Sequence, residues 1–193
     1  MKKQATLFPQ DAAKIIAELD LKEAQRTATK VKATVEAHCE LIEIAGSIRR
    51  QKSKVRDIDF VVVAKSDAEW QKINDKLKQL KAKPNCSGNS VIKAFVPCEN
   101  GFFQVDFYRA KPSTFGILLL VRTGSAEHNV WLAGYAISKG MRIRYSEGLI
   151  KEGVAVAGET EQGVFEALGL PYPLPSEREI TDKKPVWIPP EKL

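Results

Sequence analysis

The chain predicts an α+β fold: a mixed sheet flanked by helices, followed by a smaller C-terminal α+β lobe. Three observations carry this. Apolar residues recur at helical spacing through 21–39 and again through 67–80. Phe60-Val61-Val62-Val63 and the stretch 90–109 read instead as strands. The resulting order of helix, strand, strand, helix and hairpin makes one mixed lobe, and Lys111-Pro112-Ser113 marks a hinge into a second. The lobes are placed at residues 1–111 and 112–193.

Taken in order, Asp11 to Leu19 predicts a short helix after Pro9. Leu21 to Cys39 predicts a longer one, with Ala24, Ala28, Val31 and Val35 on one stripe. Leu41 to Ala45 is a strand ending in a Gly46-Ser47 turn, and Arg49 or Arg50 opens a short turn or helix. Ile58 to Ala64 is read as the central strand, since its β-branched apolar run suits a buried position. Ser66 or Asp67 caps a helix through Trp70, Ile73, Leu77 and Leu80, its outer face set with lysines. Ser90 to Val96 and Phe102 to Arg109 pair as a hairpin around Glu99-Asn100-Gly101. Beyond the hinge, Phe115 to Val121 is apolar, and Ser125 caps a helix that Gly140 ends. Met141 to Ile150 and Val154 to Ala157 are strands, and Thr160 to Leu168 is a last helix stopped by Gly169. From Pro171 onward, six prolines and several charges predict an extended, partly mobile tail.

With 193 residues, 44% of them hydrophobic, the chain can bury one sizeable core or two small ones. A formal net charge of +6 suits a polyanionic partner. Cys39, Cys86 and Cys98 are odd in number and lack metal-ligand spacing, which points to a reducing, intracellular compartment. No apolar stretch approaches the length of a membrane span, so no membrane partner is expected. Trp70, Trp131, Trp187, His38 and His128 are read as packing or surface residues.

The chemistry sits in three carboxylates. Asp57 and Asp59 flank Ile58 at the start of an apolar strand, so their side chains project to one face. Asp106 lies in a second apolar strand, Phe103-Gln104-Val105-Asp106-Phe107-Tyr108, and completes the set if the strands are neighbours. Clustered carboxylates repel one another and resist desolvation, so they call for cations. Oxygen ligands at this density suit Mg²⁺ or Mn²⁺, and two such ions about 3.5–4 Å apart can clamp a phosphoryl group.

Gly46-Ser47-Ile48-Arg49-Arg50, then Asp57-Ile58-Asp59, then Asp106, resembles the nucleotidyltransferase fold of family X DNA polymerases, the polymerase beta group. Arg122-Thr123-Gly124-Ser125 with Asn129, Lys139-Gly140, and Phe165 to Tyr172 extend the likeness from roughly 13 to 179. The glycine-serine and Asp-x-Asp elements mark the wider superfamily; the paired arginines and the later Thr-Gly-Ser with Asn129 narrow it. The resemblance implies a polymerase beta-like palm plus a C-terminal lobe equivalent to thumb or fingers. It implies a DNA-directed DNA polymerase that adds dNTPs to a primer 3′-end, filling short gaps during repair. Asp57, Asp59 and Asp106 would be the catalytic metal ligands for two Mg²⁺ ions, with Mn²⁺ able to substitute. Gly46, Ser47 and Arg50 would hold the triphosphate, and Gly124 and Asn129 the sugar and base of the incoming nucleotide. Arg49 would point elsewhere, into a structural salt bridge. Lys52, Lys54 and Arg56 would touch phosphates of a primer-template or gapped duplex.

Departures from the family pattern are equally specific. The chain reads as a minimal, monomeric, cytoplasmic and nucleoid-associated form without an N-terminal lyase domain. Val121-Arg122 stands where relatives carry two aromatic residues as a sugar gate, which predicts weak discrimination against ribonucleotides. Ala133 stands where many relatives have an arginine, and Gln104 replaces an arginine ahead of the third carboxylate, so a looser Asp106 is expected. The alternatives are a template-independent or non-DNA nucleotidyltransferase, and a catalytically silent DNA-binding relative.

Overall fold

A computed structural model describes residues 14–180. The chain enters extended. Ile15 bridges Phe102 in parallel, and the Ile16 N–H donates to the Phe102 carbonyl at 2.8 Å. Leu19–Asp20 (β1) then pairs with Lys54 and Val55. The helix expected over 11–19 is therefore absent from 14–19, while 11–13 lie outside the described residues. The reason is strand pairing, which outweighs local propensity, together with the cap of the next helix. Asp20 must be extended for its carboxylate to accept the Glu23 N–H at 2.9 Å and cap the next helix. Leu19 meanwhile gains a buried place.

That helix, Leu21–Val35 (α1), buries the predicted stripe of Ala24, Ala28, Val31 and Val35. It ends four residues earlier than expected, because a 3₁₀ turn at Glu36–His38 redirects the chain into Cys39–Ile44 (β2). Gly46–Arg49 (α2) comes after it, so the short helix starts at the glycine and ends at Arg49. Next come Lys54–Val55 (β3), Ile58–Ala64 (β4) and Asp67–Gln79 (α3), the last capped by Ser66. Lys83–Ser87 (β5), Val91–Cys98 (β6) and Gly101–Arg109 (β7) complete the first lobe.

The sheet order is β2-β4-β7-β6-β5, with β4 and β7 parallel and the other pairs antiparallel. The middle strand is thus β7, not β4. The unforeseen β5 is an edge strand with all five residues exposed and Pro84 within it, so it carries neither alternation nor β-branched content.

Both faces of the sheet are covered. Ile58, Phe60 and Val62 with Phe103, Val105 and Phe107 pack on one face, against α1 and α3. Val61, Val63 and Tyr108 pack on the other, against Phe115, Leu118 and Leu119 of Phe115–Thr123 (α4). This double burial explains the unbroken apolar run in β4. It also explains why α4 shows no stripe: Ile117 and Leu120, on its far side, enter the second core. Asp59 and Asp106 share their face with Val61 and Tyr108, at the end of the sheet that α4 leaves uncovered.

The second lobe contains Ala126–Ser138 (α5), capped by the Ser125 hydroxyl as predicted. Met141–Arg144 (β8), Gly148–Lys151 (β9) and Val154–Ala157 (β10) form an antiparallel sheet, a turn splitting the expected strand over 141–150. Glu161–Ala167 (α6) is the last helix, capped by Thr160. Beyond α6 the chain departs from the expected mobile tail. Residues 171–180 wrap back, with Arg178 fully buried and donating to Glu161 at 2.7 Å and to the Pro173 carbonyl. Buried charge pairing, invisible to proline counting, holds the segment. Residues 181–193, Trp187 included, lie outside the described residues.

Candidate active site

A cleft of about 550 Å³ opens where the two lobes meet. Gly46, Ser47, Arg50, Lys52, Lys54, Arg56, Asp57, Asp59, Gly124 and Asn129 all line it. Of the site residues expected from sequence, Asp106 is the one that does not line it. A larger hollow of about 700 Å³ between Tyr108, Arg109, Leu118 and Tyr145 contains none of them.

The carboxylates are positioned by strand pairing. Asp59 on β4 is the direct partner of Asp106 on β7. Burial, then the charges of Asp57 and Asp106, pushes the Asp59 carboxyl up to about 7, while Arg122 and Lys93 pull the other way. Asp57 is also raised, by burial and by Asp106. Like charges thus lie within reach of one another in a partly dry site, and hard oxygen donors so placed fit a divalent cation. Asp106 has hydrogen-bond partners of its own. The Lys93 ammonium pairs with its Oδ2, Tyr108 Oη donates to the same oxygen at 3.0 Å, and Gln104 Nε2 donates to Oδ1 at 2.9 Å. Among the described residues no three acidic, histidine or cysteine side chains already converge on one ion position. The looseness expected at Asp106 is contradicted: Gln104 holds it, and Lys93 adds the positive charge that glutamine lacks.

Two glycines make room for the polar groups. Gly46 has φ +61°, and a Cβ there would stand 2.4 Å from Asp59 Oδ2. Gly124 has φ +74°, and a Cβ there would stand 3.1 Å from Arg50 Nη1. Only glycine takes such backbone angles freely. Beside Gly46, the Ser47 hydroxyl is buried and has no partner among the described residues. Arg50 donates from Nε to Glu179 at 2.8 Å and from Nη1 to the Thr123 carbonyl. Asn129 Nδ2 donates to the Val121 carbonyl at 2.7 Å, which closes the C-terminal end of α4.

Arg49 points away, as expected, into a bidentate pair with Glu161 at 2.8 and 2.6 Å and a bond to Thr123 at 2.8 Å. Arg178 and Tyr172 complete this knot on Glu161. Burial opposes the Glu161 charge, but the arginine bonds prevail and hold its carboxyl below the usual range. Lys52 pairs with Glu179 at 3.5 Å and Lys54 with Glu18 at 3.6 Å, whereas Arg56 is exposed. His128 is buried, and burial, then the charge of Arg178, pushes it down to about 4. His38 pairs with Glu69 at 2.5 Å. Trp70 is buried with its indole N–H on the Gly88 carbonyl, and Trp131 stacks on Tyr135.

Sequence reasoning passed over Lys93, Tyr108, Arg122, Glu161, Arg178 and Glu179. For Lys93 a signal existed. It is a lone charge inside Val91 to Val96, and a two-residue hairpin turn at Glu99-Asn100 sets it opposite Asp106. Arg122, read as part of the Arg-Thr-Gly-Ser motif and as a missing aromatic but given no contact, stacks its guanidinium 3.6 Å from the Tyr108 ring centre.

The fold and this geometry have known counterparts. Residues 118–179 match the DNA polymerase beta thumb family. Over 141 residues the chain is 28% identical to the DNA polymerase/3′-5′ exonuclease PolX of Bacillus subtilis (strain 168). These likenesses support a family X polymerase-like protein. The PolX match takes in 70% of this chain but only 24% of the Bacillus protein, so the polymerase-like chain corresponds to about a quarter of that relative's length. Two solved structures of Leishmania infantum polymerase beta, ternary P/T and gap complexes, share the fold with a TM-score of 0.73 at 20% identity. Each covers 84% of the polymerase-like chain, and the likeness takes in 77% and 71% of the respective Leishmania chains. Among the described residues, no helix is long and apolar enough to cross a membrane.

Proposed function

We propose that the chain carries the nucleotidyl-transfer centre of a DNA-directed DNA polymerase, adding dNTPs to a primer 3′-end and filling short gaps in duplex DNA. The observation that carries this reading is the single cleft in which Asp57, Asp59, Ser47 and Arg50 face Gly124 and Asn129. Asp57, Asp59 and Asp106 would hold Mg²⁺ or Mn²⁺, which would supply charge neutralisation at the phosphoryl group and lower the pKa of the primer hydroxyl. The Arg50 fork grips the β- and γ-phosphates once Glu179 gives way. The partnerless Ser47 hydroxyl donates to a phosphate oxygen, and Gly46 leaves room for Asp59 beside it. Asn129, fixed through the Val121 carbonyl and with its Oδ1 3.4 Å from His128 Nδ1, reads the base edge of the nucleotide. Lys52, Lys54 and Arg56 on the cleft rim meet backbone phosphates. The rate then comes from positioning and fixed charge rather than from a covalent protein intermediate.

The test is primer extension on a one-nucleotide gapped duplex with Mg²⁺, each dNTP and rNTP offered singly, beside a single-stranded primer. Template-matched addition confined to the gap is expected. Addition to the single strand would replace the reading with a template-independent transferase. Asp106→Ala should abolish incorporation while DNA binding persists; inactivity of both proteins with DNA binding intact would indicate a silent DNA-binding relative.

A further inference from the structure

Lys93, Asp106 and Asp59 form one row across three adjacent strands: Lys93 is the direct partner of Asp106, and Asp106 of Asp59. A positive charge therefore stands beside two negative ones at one level of the sheet. The Lys93 ammonium shares Asp106 Oδ2 with the Tyr108 hydroxyl, while Gln104 occupies Oδ1. Two neutral donors thus fix the orientation of this carboxylate, and among the described residues Lys93 is the cation paired with it. The Asp106 side chain is 2% exposed and that of Lys93 34%, so the lysine can withdraw toward water while the aspartate cannot.

Resting on the polymerase reading above, we propose that Lys93 is a positioning residue: a built-in counter-ion that holds Asp106 in the metal-free site and competes with the cation for it. The arrangement suppresses metal binding at Asp106 until a nucleotide adds its own phosphate ligands. It also keeps the row of carboxylates folded while no cation is present.

The test is Mn²⁺ binding to the free protein, monitored by the electron paramagnetic resonance signal of unbound Mn²⁺, in wild type, Lys93→Met, Lys93→Arg and Asp106→Asn. Met keeps the stem and removes the charge; Arg keeps the charge. Lys93→Met is expected to bind Mn²⁺ roughly three- to tenfold more tightly. Lys93→Arg should stay near wild type, and adding Lys93→Met to Asp106→Asn should change nothing. The metal concentration for half-maximal incorporation should fall in parallel in Lys93→Met. Unchanged or weaker binding in Lys93→Met, or an equal gain in the Asp106→Asn background, overturns the proposal while the polymerase reading stands. Failure of every variant, Lys93→Met included, to bind Mn²⁺ overturns the proposal; the polymerase reading falls only if gap filling with Mg²⁺ and dNTP is absent as well. Thermal melts establish that each variant is folded, and Lys93→Arg carries the comparison if Lys93→Met is not: its Mn²⁺ affinity must then track wild type and not the Asp106→Asn value.

Discussion

Glu161 and Asp59 are both acidic and largely withdrawn from water, and the adjacent Arg49 and Arg50 point one toward each region, yet their surroundings differ completely. Glu161 takes bonds from Arg49, Arg178 and Tyr172, and its charge is held in place. Asp59 faces Asp57 and Asp106, and its charge is opposed. The first region joins the lobes; the second keeps a repulsion that Arg122 and Lys93 offset only in part. Compensated buried charge marks assembly here, and uncompensated charge marks chemistry.

The largest effect should come from the uncompensated side. Asp59→Asn should lower incorporation on the order of 10³-fold, read as kcat/KM in gap filling. The same variant should be the more stable protein above neutral pH. Between the ordinary value of 3.8 and about 7, folded Asp59 keeps a proton that the unfolded chain releases. Its contribution therefore turns unfavourable as pH rises through that window, and is flat below and above it. Urea unfolding of wild type and Asp59→Asn at pH 5 and 8 should show the difference growing with pH; a constant difference would break the contrast.

The compensated side should answer in stability first. Glu161→Ala leaves two arginines facing each other without a counter-ion and should cost about 3–5 kcal/mol, measured by urea unfolding at pH 7. A loss below about 1 kcal/mol would mean that the knot holds nothing together. Next come the two glycines. Gly46→Ala places a methyl group against Asp59 at a positive φ and should cost about 2–3 kcal/mol, with most activity lost. Gly124→Ala meets only the movable end of Arg50 and should cost about 1 kcal/mol, by thermal melting. The smallest effect belongs to Glu179, which is 36% exposed and pairs with both Arg50 and Lys52. Glu179→Gln should change stability by less than about 1 kcal/mol while lowering the KM for dNTP roughly two- to threefold.

The same contrast shows how much could be read from the chain alone. Asp57, Asp59 and the glycine-serine turn are local, since a strand alternates every two residues and a turn needs its glycine where it stands. The α1 stripe and the Ser125 cap were legible for the same reason, as was the α3 cap down to a choice between Ser66 and Asp67, whereas Thr160 was placed inside the helix that it caps. The helix expected over 11–19 failed because pairing with Phe102 and Val55 outweighed local propensity. Likewise α4 went unread because a helix buried on both sides shows no period.

Sequence by itself determined the α+β order, the Asp57-Ile58-Asp59 pair and the glycine-serine turn, each of which depends on residues within a few positions of one another. Tertiary structure alone decided which charges meet. Arg49 finds Glu161 across 112 residues and Arg50 finds Glu179 across 129. The Coulomb energy of a charge depends on distance in space and on exposure to water, and the folded packing of the two lobes sets both.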